Sequence, residues 1–279
     1  MKNFKIGIQL YSIREEMEAD MDAALGAVKA MGYDYVEFAG YFGKTAEEVR
    51  ALLDKHGLTA ISAHQGPEVF WYGDEEKEID FLKTLGVKYC AIPWYSVDEY
   101  VERWNETVER FTRLGEKLKE NGIQLLYHNH DFELGKIDGE AILDKLYASV
   151  PADVLQPEFD TCWLHYAGKD PAEYLSGYAD RRIDVVHLKD FTCKKLGGGP
   201  VYDLIGVNDD EARKKEKAEN GFKFMSLGYG MQDFGAIIEA CERIGAEYLI
   251  VEQDKWYDGE TALECAAKSR AYLKEAFGL

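Results

Sequence analysis

The sequence predicts an α/β protein, a single (β/α)8 TIM barrel, and three observations carry that prediction. Eight short apolar runs alternate with longer stretches in which apolar residues recur every three or four positions. A glycine stands just ahead of five of the runs (Gly32, Gly57, Gly86, Gly122 and Gly245), where a chain leaving a helix needs positive φ. The 279 residues also suit one barrel, which commonly takes about 250. Strand–helix alternation calls for a parallel sheet covered on both faces. An open doubly wound sheet often carries G-x-G-x-x-G after its first strand, and none follows here.

In order, the expected strands are 4–11, 33–39, 58–64, 87–94, 123–130, 154–161, 183–190 and 247–254. Between the fourth and fifth, Tyr100, Trp104, Val108, Phe111, Leu114 and Leu118 predict one amphipathic helix over 96–121. Ser96 and Glu99 would form its capping box, and Asn121-Gly122 its end. The irregular stretch is 191–226, with Leu196-Gly-Gly-Gly-Pro200 and a charged run over 208–220, expected as a long loop insertion with one short helix. No linker or composition shift divides the chain, so 1–279 is expected as one domain.

With 33 basic against 52 acidic residues the formal charge is -19, which disfavours nucleic acid and anionic membranes as partners. The first twenty residues show no signal-peptide pattern, and no apolar stretch approaches the roughly 20 residues of a membrane span, so a cytoplasmic location is expected. Five scattered cysteines (Cys90, Cys162, Cys193, Cys241 and Cys265) without a C-x-x-C pair predict neither disulfides nor a structural zinc site.

Barrel chemistry sits at the C-terminal ends of the strands. Here those ends offer Gln9, Glu37, His64, Trp94, His128, Asn129, His130, Glu158, Asp160, His187, Lys189, Asp190, Glu252 and Asp254. Four of the six histidines are among them. Imidazoles and carboxylates converging from separate strands, without thiolates, suit one divalent ion such as Mn²⁺, Zn²⁺, Co²⁺ or Mg²⁺. A lone carboxylate at a barrel rim is as well explained by a neighbouring lysine, and a lone histidine by a core hydrogen bond. The conjunction is what argues for a site. His128 and His130 alternate with Asn129 and are expected on one face. Glu37 and His64 are expected as substrate contacts, and Trp94 and Trp163, with Phe70 and Trp71, as pocket walls. Gly197 to Gly199 reads as a flexible loop more readily than as a phosphate cradle. Gly43-Lys44-Thr45 is no P-loop, because Phe38 stands where its first glycine belongs.

Several segments together, Tyr127-His-Asn-His-Asp-Phe-Glu133, Phe159-Asp-Thr-Cys-Trp163, His187-Leu-Lys-Asp190, Leu227-Gly-Tyr-Gly230 and Val251-Glu-Gln-Asp254, resemble the sugar phosphate isomerase/epimerase family of xylose isomerase-like barrels. Ile6-Gly-Ile-Gln-Leu-Tyr11 and Tyr35-Val-Glu-Phe38 extend the resemblance nearly end to end. It implies a metal held by Asp160, His187, Glu252 and a carboxylate after strand five. His128 occupies the place where ketose epimerases carry that glutamate, and Glu133 is the expected ligand, with His128 and His130 facing substrate. Glu252, His128, His130 and Lys189 are the expected catalytic residues. The implied activity is isomerisation or epimerisation of a ketose, keto-inositol or related small carbohydrate by proton abstraction next to its carbonyl. If His128 replaces the second carboxylate, elimination by a dehydratase or glycoside-cleaving lyase is the alternative. An endonuclease IV-like nuclease and a non-catalytic sugar-binding barrel stand further off. A homo-oligomer is compatible with all of these.

Overall fold

The computed structural model describes residues 3–179, 181–197, 219–257 and 259–279. Eight parallel strands close into a barrel in chain order. They are β1 (Lys5–Gln9), β2 (Tyr35–Ala39), β3 (Thr59–His64), β4 (Tyr89–Ile92), β5 (Gln124–His128), β6 (Leu155–Asp160), β7 (Val185–Leu188) and β8 (Tyr248–Val251). The barrel closes where Lys5 to Ile8 pair in parallel with Tyr248 to Val251. Each expected strand is present, shortened at its ends.

Every second residue of a strand points inward. Ile61, Tyr89, Ala91, Leu126, Val185, Tyr248 and Ile250 fill the barrel interior as an apolar plug. Gly7 belongs to this tight layer, since a Cβ there would lie 2.6 Å from Ile250 Cδ1. A larger core joins the outer strand faces to the helices, including Val36, Phe38, Leu125, Phe159, Val186 and Leu249. The plug fills the lower interior, so the polar residues further along the same strands gather above it.

Gly57, Gly86 and Gly245 close their helices in the left-handed conformation, and Gly32 and Gly122 also have positive φ, as the spacing predicts. The helix expected over 96–121 is instead two, Val97–Glu102 and Trp104–Glu120, broken at Arg103, and Ser96 makes no side-chain cap. The break turns the buried Tyr100 ring against Tyr95 and Tyr127, while Phe111, Leu114 and Leu118 bury along the longer helix.

The stretch expected as a loop begins and ends as an antiparallel ribbon, Asp190–Thr192 against Lys223–Met225. The expected short helix, Gly198, Gly199 and most of the charged run lie outside the described residues. All five cysteines are free. Among the described residues, no helix is long and apolar enough to cross a membrane.

Candidate active site and metal centre

The polar strand ends form one buried ring. Strand pairing sets His128 beside Glu158 and Asp160 beside His187, and the period-two alternation of β6 turns both Glu158 and Asp160 inward. Glu37, Glu158, Asp160 and His187 have no exposed surface, and His128, Lys189, Glu252 and Asp254 are buried. His187 Nδ1 is hydrogen-bonded to Glu252 Oε2 at 2.9 Å, and its Nε2 lies 2.7 Å from Glu37 Oε1. His64 Nε2 lies 2.7 Å from Glu158 and 3.0 Å from Glu37. His128 Nδ1 is 3.3 Å from Glu158, and its Nε2 is 3.8 Å from Asp160. Gln9 steadies the floor by donating to Glu37 at 2.8 Å.

Lys189 lies among three carboxylates, 3.3 Å from Asp160, 3.1 Å from Glu252 and 3.0 Å from Asp254. Its ammonium faces the Trp163 ring, with Nζ 5.1 Å from the centroid. Trp163 is packed by Phe222 and Phe224 next to the ribbon, so it walls the Lys189 side of the site.

Two overlapping groups have the donors and spacing to hold a metal ion: His128, Asp160, His187 and Glu252, and His64, His128, Glu158 and His187. The first fits a resident divalent ion. Asp160 Oδ1 caps the following helix by accepting from Cys162 N and Trp163 N at 2.8 and 3.2 Å. Its Oδ2 is buried without a hydrogen-bond partner among the described residues. Mixed imidazole and carboxylate donors of this kind suit a borderline-hard ion.

The surroundings fix the charge states. Burial works against ionising Glu252, but Lys189 and His187 hold its carboxyl well below the usual range. Burial likewise opposes the Lys189 ammonium, and Asp254, Glu252 and Asp160 outweigh it to raise its pKa well above the ordinary value. Burial, then His187 and His64, push His128 well down, so its imidazole is neutral. Asp254 is pushed up to about 7 by burial, with Lys189 pulling against the shift.

Glu133 is corrected from the expected ligand set. It sits in the short turn Phe132–Leu134, accepting from Tyr127 Oη at 2.6 Å and His130 N at 2.8 Å. With both oxygens engaged it braces the chain after β5 and stands apart from the ring, where His128 lies beside Asp160. His130 lies next to that place, its ring 5.2 Å from His128 and 5.7 Å from Trp163. Glu37 and His64 belong to the ring itself, not to an outlying contact surface. Trp94 is half-buried past β4 and, among the described residues, has no hydrogen bond or ring contact with the site. Trp71 packs edge-on against Tyr95 and Phe111, and Phe70 is part of the main core.

Glu158 and Asp254 each stand two residues from an expected ligand, Asp160 and Glu252, and that spacing is the sequence signal that sets them on the same face. Asp190 has a structural role. It accepts from Phe191, Gly228, Gly230 and Gln232 backbone N–H groups at 2.9 to 3.2 Å, and so pins the Leu227-Gly-Tyr-Gly230 turn. A Cβ at Gly230 would come within 2.2 Å of Asp190 Oδ1.

Residues 25–276 match the xylose isomerase-like TIM barrel family. An inosose dehydratase of Clostridium perfringens strain 13 is 31% identical over 284 residues, spanning 94% of this chain and 92% of its own. An inosose dehydratase of Lacticaseibacillus casei is 26% identical, spanning 92% of this chain and 89% of its own. Among solved structures, a sugar phosphate isomerase/epimerase of Parabacteroides distasonis superposes with a TM-score of 0.80 at 24% identity, covering 99% of this chain and 96% of that one. An IOLI protein with a bound zinc atom superposes with a TM-score of 0.67 at 17% identity, covering 98% and 97%.

Proposed function

The chain belongs to the xylose isomerase-like TIM barrel family, and from that premise we propose that it is a metal-dependent lyase that removes water from an inosose or a closely related polyhydroxy ketone. Relatives matched over nearly their whole length support the reaction class. The observation that carries the chemistry is the buried pair of an ionised Glu252 and the Lys189 ammonium, 3.1 Å apart. The isomerase or epimerase reading of the sequence stands second, because these relatives bring forward the elimination it held as an alternative.

Asp160, His187, Glu252 and His128 would hold the divalent ion, which when bound polarises the substrate carbonyl and stabilises the charge left by proton loss. Elimination needs a base for the C–H beside the carbonyl and an acid for the departing hydroxyl. Lys189 and His187 both engage Glu252 Oε2, and we assign Oε1 to take the proton from carbon. Lys189 Nζ gives a proton to the hydroxyl as the C–O bond breaks, water leaves, and the carbon skeleton becomes an unsaturated ketone. Asp254, 3.0 Å from Nζ, then returns a proton to the lysine. Trp163 excludes water from that side, which keeps the ammonium's proton for the leaving group.

The test is a panel of inososes, ketoses and 3-keto-glycosides incubated in D₂O with metal-loaded protein and followed by mass spectrometry. Loss of water from an inosose is the expected result. An isomer of unchanged composition would establish the epimerase reading, and release of an aglycone the glycoside-cleaving one.

A further inference from the structure

We infer that His64, Glu37 and Glu158 form a second divalent-cation site, closer to the N-terminal end of the barrel than the ion placed by Asp160 and Glu252. The inference concerns metal content and does not depend on the reaction class.

The first support is geometric. Glu158 precedes Asp160 by two residues on β6, so it faces inward from the row beneath. His64 Nε2 meets carboxylate oxygens of Glu158 at 2.7 Å and Glu37 at 3.0 Å. His187 Nε2 faces the same pair, at 2.7 Å from Glu37 and 3.6 Å from Glu158. Two imidazole nitrogens thus converge on two carboxylate oxygens contributed by four separate strands. The single proton on His64 Nε2 cannot be shared well with both acceptors, whereas an ion beside them can meet His64, Glu37 and Glu158 together.

The second support is that the remaining oxygens, Glu37 Oε2 and Glu158 Oε1, are buried without a hydrogen-bond partner among the described residues. Leaving buried carboxylate oxygens unpaired is costly, and coordination to a metal ion satisfies them.

The two sets share His128 and His187, and each ring turns a different nitrogen to each set. A neutral imidazole has one lone pair. When these histidines serve the first ion, their N–H groups point down at Glu158 and Glu37. The lower ion then keeps His64, Glu37 and Glu158, three protein ligands with room for water.

The experiment counts ions. Metal-free wild-type protein is saturated with Co²⁺, freed of excess by gel filtration and assayed for cobalt per chain. We expect two ions in wild type and one in each of Glu158→Gln, His64→Gln and Asp160→Asn. A single ion in wild type, unchanged by Glu158→Gln and His64→Gln but lost in Asp160→Asn, overturns the second site and leaves the first standing. No bound ion in wild type overturns both. Should the variants fail to fold, electron paramagnetic resonance of Mn²⁺-loaded wild type decides. A spin-coupled, broadened spectrum at saturation supports the pair, and the resolved hyperfine pattern of an isolated ion contradicts it.

Discussion

Lys189 Nζ and Glu252 Oε2 lie 3.1 Å apart, with both side chains almost wholly withdrawn from solvent. In this geometry a buried ammonium keeps a buried carboxylate ionised and stands ready as a proton donor. Lys189→Met removes the donor while keeping length and apolar packing against Trp163. Turnover should fall by about 10²-fold or more, with cobalt or zinc content retained. Unchanged turnover on the true substrate would take Lys189 out of the chemistry.

Glu252→Gln keeps the shape of the side chain and removes its basicity. Turnover should fall by roughly 10²-fold or more, and deuterium exchange at the carbon beside the carbonyl should fall with it, while metal affinity weakens modestly. Exchange at the wild-type rate would show that another group is the base.

Glu133→Gln separates a brace from a ligand. Both wild-type oxygens accept hydrogen bonds away from the ring, so metal content should be the same in the variant. Burial pushes the Glu133 carboxyl up from an ordinary 4.5 to about 8. The folded chain therefore holds a proton that the unfolded chain has released, and this costs stability progressively as pH rises from 4.5 to 8. Glutamine has no such proton to lose. Urea unfolding should show the variant gaining on wild type across that interval and holding a constant difference above it. A metal deficit in Glu133→Gln would restore it as a ligand.

Asp190→Ala should destabilise the protein by about 3 kcal/mol or more, because a buried charged acceptor of four backbone N–H groups is removed. Gly230→Ala should act in the same direction, since its Cβ would collide with Asp190 Oδ1. Thermal melts check both, and wild-type midpoints would contradict the pinning role.

The barrel was legible because hydrophobic period and helix-ending glycines are local signals: all eight runs became strands, and Gly57, Gly86 and Gly245 ended their helices as expected. The break at Arg103 was not, since it depends on where Tyr100 finds Tyr127, a contact between distant parts of the chain. Asp160, His187 and Glu252 could be found at strand ends. The separation of Glu133 from the ring could not, because it turns on Tyr127 Oη and His130 N claiming both Glu133 oxygens, a local fold invisible to strand counting. Glu158 lay in plain view two residues from Asp160, and its meaning emerged only when His64 arrived from β3.

Proton NMR of an inosose in D₂O with metal-loaded protein separates elimination from isomerisation. The signal of the C–H beside the carbonyl should disappear as an unsaturated ketone, one water lighter, builds up, and neither change should occur with Glu252→Gln. Appearance of an isomeric ketose or inosose without loss of water, or no change at all in protein shown to carry its metal, would contradict elimination.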